Sequence, residues 1–202
     1  MVVRRVTLSK SNRIITSKAC LLAIAIVTIG CQNHTDVASK VEPSKIQNAH
    51  QSNAASYESD LDQLLMLIRD RLAFMPDVAR SKWSRGLPVE DRERERKVID
   101  RFVSESEIAG LNAIWAEKVI AAQILAARSW QQSCFDLWAK SPPDPNTPPR
   151  DLQTELRPQI ERVTTDLIAV LIRLEPHRTS HSFQSEFSIR SASVFQAAEI
   201  PE

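Results

Sequence analysis

The amino-acid sequence predicts an all-α protein folded as a helical bundle. Long segments are rich in Ala, Leu, Glu, Arg and Gln, which form helices readily, and alternating runs of β-branched residues are few. Apolar residues recur at steps of three and four residues along most of the chain. With 202 residues, 43% of them hydrophobic, the chain is long enough for one domain with a sizeable core.

The predicted bundle contains four long helices, each with a continuous apolar face. They cover residues 59–83, 89–109, 113–139 and 152–175. Pro76 should kink the first helix, Pro88 should open the second, and Asn112 should cap the third. Val98, Ile99, Phe102, Val103 and Ile108 are expected to be the buried face of the second helix. The Pro-rich stretch 141–150 cannot be helical, and a short last helix is predicted within 182–198.

The first 31 residues have the pattern of an export signal. Basic residues precede the apolar run ACLLAIAIVTIG, which is too short to span a bilayer comfortably. The run ends in TIGC, which resembles the lipobox at which bacterial lipoprotein precursors are cleaved and lipidated, here on Cys31. Thr28 is not the Leu most often found there, so ordinary cleavage and an uncleaved anchor stay open. All three alternatives predict an exported, periplasmic protein with a flexible polar tether at 32–57 and a folded domain at 58–202.

Charge and composition exclude several functional classes. The chain has 26 basic and 25 acidic residues, so no overall field favours nucleic acid, an anionic membrane or a polyanion. Its three glycines form no phosphate-binding loop. His177 and His181 have helical i, i+4 spacing, but Pro176 and the surrounding Thr and Ser argue against a metal site. Cys134 lies on an apolar helical stripe and is expected to be buried and unreactive.

The first predicted helix places two cations on its apolar face. Positions 64, 68, 71, 75, 78 and 82 read Leu, Ile, Arg, Met, Val and Lys, so that Arg71 and Lys82 occupy apolar positions. Along a helix these two residues are about 16 Å apart. A buried charge without a partner is costly, so the two cations need either carboxylates or an anionic ligand.

The other helices show the same anomaly. Arg94 lies one turn before Val98, Gln131 lies among the buried positions of the third helix, and Arg157 lies at the start of the fourth. One interpretation is a pocket in which arginines bind a small dianion and a Lys and an amide are left for chemistry. The alternative is an internal ion-pair network, with neutralising carboxylates from Asp77, Glu90, Asp91 or Glu95.

Four motifs occur in a fixed order along the chain: RL at 71–72, KW at 82–83, PVEDRER at 88–94 and QILAARSWQ at 123–131. Together they resemble the exported, gamma-type members of the all-helical chorismate mutases, over residues 61–174. The resemblance implies one active site inside the bundle, where chorismate rearranges to prephenate without a cofactor or a metal. It also implies a small-molecule partner only, and a homodimer is a common assembly of such proteins.

The resemblance implies a role for each matched residue. Arg71, Arg94 and Arg157 would bind the substrate carboxylates, and Arg94 would act in catalysis together with Lys82 and Gln131, the two donors to the ether oxygen. The resemblance also implies that Asp91 and Ala127 contact the substrate. Asp91 would lie beside the ring hydroxyl of chorismate, and Ala127 occupies a position where many family members carry Ser or Thr. Weaker substrate binding follows from Ala127 unless Arg128 compensates. A binding module without catalysis, and an envelope lipoprotein with internally paired charges, are the competing hypotheses.

Overall fold

A computed structural model describes the backbone of residues 46–196 and the side chains of residues 57–192. This part of the chain contains six α-helices: α1 Ile46–Ala73, α2 Met75–Trp83, α3 Arg92–Ile108, α4 Ala113–Trp138, α5 Arg157–Leu174 and α6 His181–Gln196. A π-helical turn, Leu152–Leu156, leads into α5, and a 3-10 turn, Glu175–His177, follows it. Because these residues include no strand, the predicted all-α helical bundle is confirmed. The predicted export signal and Cys31 lie outside the described residues.

The helices pack around one apolar core. α1 lies along α5, α4 contacts both α2 and α3, and α6 packs on α1. The largest fully buried side chains are aromatic and aliphatic: Phe102, Phe183, Phe187, Leu61, Leu64, Leu65, Ile68, Leu72, Ile120, Leu156, Leu167 and Leu171. Burying each of them contributes about 1.5–3 kcal/mol relative to leaving it in water, so the bundle has a substantial hydrophobic driving force.

The first predicted helix, 59–83, is wrong in two respects. It is two helices, because α1 ends at Ala73 and Pro76 lies in the first turn of α2. Proline fits there, whereas inside a continuous helix its ring would clash with the preceding turn. In addition, α1 begins at Ile46, so residues 46–57 are helical and do not belong to a flexible tether. They contain no Gly or Pro, and a helix that is already packed propagates at one hydrogen bond per residue.

The second predicted helix begins too early at its N-terminus and was assigned one wrong core residue. α3 begins at Arg92, since Asp91 is its N-cap and accepts a hydrogen bond from the backbone N–H of Arg94 over 3.1 Å. Ile108 is 86% exposed, although it was predicted to be buried. Phe102 and Ser106 occupy the inward face of α3, and at 100° per residue Ile108 points almost directly away from Ser106.

The remaining elements follow the predictions closely. Asn112 caps α4 by accepting from the backbone N–H of Trp115 over 3.0 Å. The Pro-rich stretch 141–150 is not helical. The C-terminal helix α6 buries Phe183 and Phe187. Cys134 is buried, as predicted, and burial raises the pKa of its thiol to about 11. Within the described residues, no helix has both the length and the apolar character needed to cross a membrane.

Candidate active site

A cavity of about 170 Å³ lies inside the bundle, between α2, α3, α4 and α5. Its lining includes every residue that was predicted for the substrate site: Arg71, Lys82, Asp91, Arg94, Ala127, Gln131 and Arg157. Apolar side chains of Met75, Val78 and Ile160 fill the space between these groups. Residues from five helices, α1 to α5, therefore converge on one site. This supports the interpretation that the cations on apolar helix faces are parts of a pocket.

Arg71, at the end of α1, is a buried cation held by neutral acceptors. Its side chain is only 5% exposed. Nε donates to Oγ1 of Thr164 over 3.3 Å, and Nη1 donates to the backbone oxygen of Gln123 over 3.2 Å. Burial lowers the pKa of Arg71 to about 10. Among the described residues no carboxylate lies within 4 Å of this guanidinium, so its charge is available to an anion in the cavity.

Lys82 is on α2, where the apolar face of that helix meets the cavity. Its Nζ donates to the backbone oxygen of Val89 over 2.6 Å, which directs the ammonium across the loop between α2 and α3. Burial lowers the pKa of Lys82, an effect that Asp91 and Glu95 oppose and that nearby Arg157 reinforces. An ammonium has three donors, so two stay available for a ligand after the bond to Val89.

Gln131 and Ala127 are one turn apart on α4, and both are buried. The side-chain Nε2 of Gln131 has only a weak acceptor, Sδ of Met75 at 3.5 Å, and its Oε1 has no partner. A buried amide without good partners costs free energy, which a ligand with a hydrogen-bond acceptor would recover. Ala127 contributes no polar atom, and Arg128 next to it binds Glu90 at 3.2 Å and Glu95 at 3.3 Å.

Arg94 and Arg157 differ in their partners. Arg94 donates from Nη2 to Oε1 of Glu161 on α5 over 2.6 Å, and both side chains are about 40% exposed. Arg157 has no carboxylate within 4 Å among the residues that the structure describes. The cavity thus presents three cations without an ion-pair partner in that part of the chain: Arg71, Lys82 and Arg157.

None of the predicted neutralising carboxylates forms an ion pair with these three cations, although the charges of Asp91 and Glu95 partly oppose the lowering of the pKa of Lys82. Asp77 pairs with Arg150 over 2.8 Å, outside the cavity. Glu90 and Glu95 pair with Arg128, and Asp91 caps α3. The ion-pair alternative therefore describes Arg94 alone, and its partner there is Glu161, which was not predicted.

Two residues of α5 were missed by the sequence analysis. Glu161 and Thr164 both line the cavity and hold arginines that come from other helices. They follow Arg157 by four and seven residues, a spacing that places all three on one helical face, so the signal was present in the sequence. Glu95 also lines the cavity, although we predicted it only as a neutralising group.

The side chains that line the cavity also indicate which kind of ligand it suits. No group of three or more His, Cys, Asp or Glu side chains within the described chain is arranged to hold a metal ion. What the cavity offers is cationic and amide donors around a mostly apolar floor. The fold and the cavity therefore define an all-helical protein whose bundle encloses a site with the chemistry to suit a small organic anion.

Comparisons with known proteins agree with that class. The chorismate mutase type II model matches residues 60–132. A secreted chorismate mutase from Yersinia pestis is 36% identical over 106 residues, covering 52% of this chain and 56% of that protein. A monofunctional chorismate mutase from Enterobacter agglomerans is 33% identical over 111 residues, covering 55% of this chain and 60% of that protein. The matches span little more than half the length of these two relatives.

A solved structure extends the likeness to 67% of the chain. The crystal structure of a chorismate mutase from Burkholderia thailandensis is 31% identical, with a TM-score of 0.63, over 67% of this chain and 84% of that one. The chain belongs to the chorismate mutase type II family, so the resemblance predicted from the four sequence motifs is confirmed.

Proposed function

We propose that this protein is a chorismate mutase, which rearranges chorismate to prephenate. The observation that carries the proposal is the convergence of Arg71, Lys82, Arg157 and Gln131 on one cavity, with no carboxylate of the described chain within 4 Å of any of the three cations. Chorismate is a dianion with an ether oxygen, so it supplies two carboxylates and one acceptor to these groups. The two carboxylates would pair with the cations, and the ether oxygen would accept a hydrogen bond from Lys82 or from the amide of Gln131.

The arginines would hold the substrate in its reactive, compact conformer. Arg71 and Arg157 offer planar forks that match carboxylate geometry, and Arg94 offers the donors that Glu161 does not use. A flexible dianion must lose conformational entropy to reach the geometry in which it reacts. If the arginines hold it in that geometry, this entropy is lost on binding and no longer adds to the barrier of the chemical step. This part of the mechanism needs no proton transfer and no covalent intermediate.

Lys82 and Gln131 would stabilise the transition state. In this rearrangement the C–O bond breaks ahead of C–C bond formation, so negative charge grows on the ether oxygen. Donors fixed beside that oxygen bind the transition state more tightly than the ground state, which lowers the barrier. The spare N–H groups of Lys82 and the weakly bonded amide of Gln131 support this assignment.

Asp91 and Ala127 complete the proposed substrate site. Oδ1 of Asp91 accepts the capping hydrogen bond of α3. The ring hydroxyl of chorismate would therefore contact the backbone of Asp91 or its other carboxylate oxygen, Oδ2. Ala127 offers only van der Waals contact where a hydroxyl would donate to a carboxylate. We therefore expect weaker substrate binding than in a family member with Ser or Thr at this position.

The proposal places this activity outside the cytoplasm. It is supported by the apolar run before Cys31 and by the relative from Yersinia pestis, which is described as secreted. Expression of the full chain and of a Cys31→Ser variant with a radiolabelled fatty acid tests lipidation. Label only on the parent chain would support a lipoprotein, and an unlabelled but shortened chain would support ordinary cleavage.

The activity is tested by ultraviolet absorbance of chorismate with the purified protein, and prephenate is confirmed by its acid conversion to phenylpyruvate. Turnover supports the proposal. The competing hypothesis, a binding module for a small dianion, predicts tight binding of prephenate in calorimetry without turnover of chorismate. An envelope lipoprotein with paired charges predicts neither. Sedimentation of the same sample tests the predicted homodimer.

A further inference from the structure

We propose that Glu161 is a positioning residue that holds the guanidinium of Arg94 in place over the cavity. The inference rests on the proposed function, since Arg94 is there a ligand of the substrate. It concerns a residue on α5 for which the sequence motifs imply no role.

The contact joins two helices that flank the cavity. Oε1 of Glu161 accepts from Nη2 of Arg94 over 2.6 Å, and the two residues are 67 positions apart in the sequence. Both line the cavity, where α3 and α5 face each other. The hydrogen bond is charge-assisted and slightly shorter than is usual for such bonds, so it restrains the orientation of the guanidinium as well as its position.

Arg94 needs such a restraint more than Arg71 does. Arg71 is buried and fixed by two neutral acceptors, whereas the side chain of Arg94 is 36% exposed. A free arginine side chain carries about 2 kcal/mol of rotamer entropy, which would be lost on binding substrate. A fixed carboxylate on α5 removes part of that cost before substrate arrives. The remaining N–H groups of Arg94 have no acceptor in the described chain and stay available to a substrate carboxylate.

Glu161 itself is held from a second side. Its Oε2 lies 3.6 Å from Nη1 of Arg101, and Arg101 is fixed by a 2.7 Å hydrogen bond to Glu105. Two guanidinium groups therefore share the charge of one carboxylate. For this reason the substrate dianion does not meet an uncompensated negative charge at Glu161, and the carboxylate orients Arg94 without competing strongly for it.

The test compares kcat/KM for chorismate in the wild-type protein, Glu161→Ala and Glu161→Gln. Positioning predicts a loss of roughly tenfold in Glu161→Ala, since small misplacements of a binding group are costly to catalysis. Glu161→Gln keeps an acceptor oxygen and should retain most of the activity. Asp77→Ala is the matched control, because Asp77 forms an ion pair of similar exposure with Arg150 outside the cavity. It should lower the melting temperature as much as Glu161→Ala without the kinetic loss.

A double-mutant cycle with Arg94→Ala separates positioning from a general structural effect. If Glu161 acts through Arg94, adding Glu161→Ala to Arg94→Ala should cause less than about a twofold further loss. Equal losses in both backgrounds would overturn the inference, as would an unchanged or increased kcat/KM in Glu161→Ala. Absence of turnover in the wild-type protein would instead overturn the proposed function, and the two failures are thus distinguishable.

Discussion

The guanidinium of Arg71 is fixed on the backbone oxygen of Gln123 at 3.2 Å, and no carboxylate of the described chain shares its charge. Its pKa is lowered to about 10 because the group is removed from water. A protonated arginine in this position costs the folded state free energy at every pH below that pKa. The protein tolerates this cost where an anionic substrate is proposed to bind.

Replacing Arg71 by Met should therefore stabilise the free protein while removing its function. The pKa shift from 12.5 to about 10 corresponds to roughly 3 kcal/mol, and Met fills similar volume without a charge. We expect the free energy of unfolding in urea to rise by ~1–3 kcal/mol at pH 7. Binding of prephenate, measured by calorimetry, should fall below detection.

A surface arginine provides the control for that prediction. Arg173 bonds to Asp60 and Gln63, each over 2.7 Å, on the outside of the bundle. Arg173→Met should lower the free energy of unfolding slightly and leave prephenate binding intact. A destabilised Arg71→Met variant would mean that the buried charge is compensated by the protein itself.

The wild-type rate should be nearly independent of pH between about 5 and 8 and should fall on the alkaline side. An amide donates its hydrogen bond at any moderate pH, so Gln131 adds no titration. Lys82 must stay protonated to act as a donor, and burial lowers its pKa, so the alkaline loss should begin earlier than for an exposed lysine. The measurement is kcat/KM from pH 5 to 10 at constant ionic strength, and a steep loss above pH 6 would contradict the assignment of Gln131.

Gln131→Glu should convert this flat profile into one that falls as pH rises. A carboxyl group at position 131 donates to the ether oxygen only when it is protonated, and an ionised carboxylate there would repel the developing negative charge. Burial at position 131 should raise the pKa of the introduced carboxyl group, so we expect activity to be highest near pH 5 and to fall at least tenfold by pH 8. A profile parallel to that of the wild-type protein would show that position 131 does not contact the reacting oxygen.

Ala127→Ser should strengthen substrate binding. The new hydroxyl would be added one turn from Gln131, on the wall of the cavity, and a hydrogen bond to a charged group contributes about 1.5–3 kcal/mol. KM for chorismate should fall by about tenfold or more. Ala126→Ser is the control, since Ala126 is buried without lining the cavity and should lose stability with no gain in affinity. If the two variants behave alike, the hydroxyl does not reach the substrate.

Much of the site could be predicted from the sequence, because its residues are polar side chains at apolar positions, each within a single helix. Arg71 and Lys82 stand out against the apolar spacing of their own helices, and Gln131 does so on α4. Each anomaly can be seen within two or three helical turns, and the structure brings these residues to one cavity. The cap at Asn112 is equally local, and α4 follows its prediction within one residue.

What could not be predicted depends on contacts between distant segments. The pairing of Glu161 with Arg94 joins residues 67 positions apart, and many carboxylates of similar spacing were available as partners. The exposure of Ile108 depends on where the neighbouring helices end, although its residue type favours burial. The extension of α1 back to Ile46 depends on propagation from packed residues beyond it, which composition alone did not indicate.

Lys82 is the residue proposed to stabilise the transition state, and kcat for chorismate in Lys82→Ala measures that role. We expect a loss of at least 100-fold with an unchanged melting temperature, because Lys82 forms no ion pair in the described chain whose carboxylate would be left unpaired. Lys97→Ala should keep wild-type kcat, since Lys97 borders the same cavity but is paired with Glu93 over 2.5 Å. An active Lys82→Ala variant, or one that loses stability instead of turnover, would show that Lys82 is not the transition-state donor.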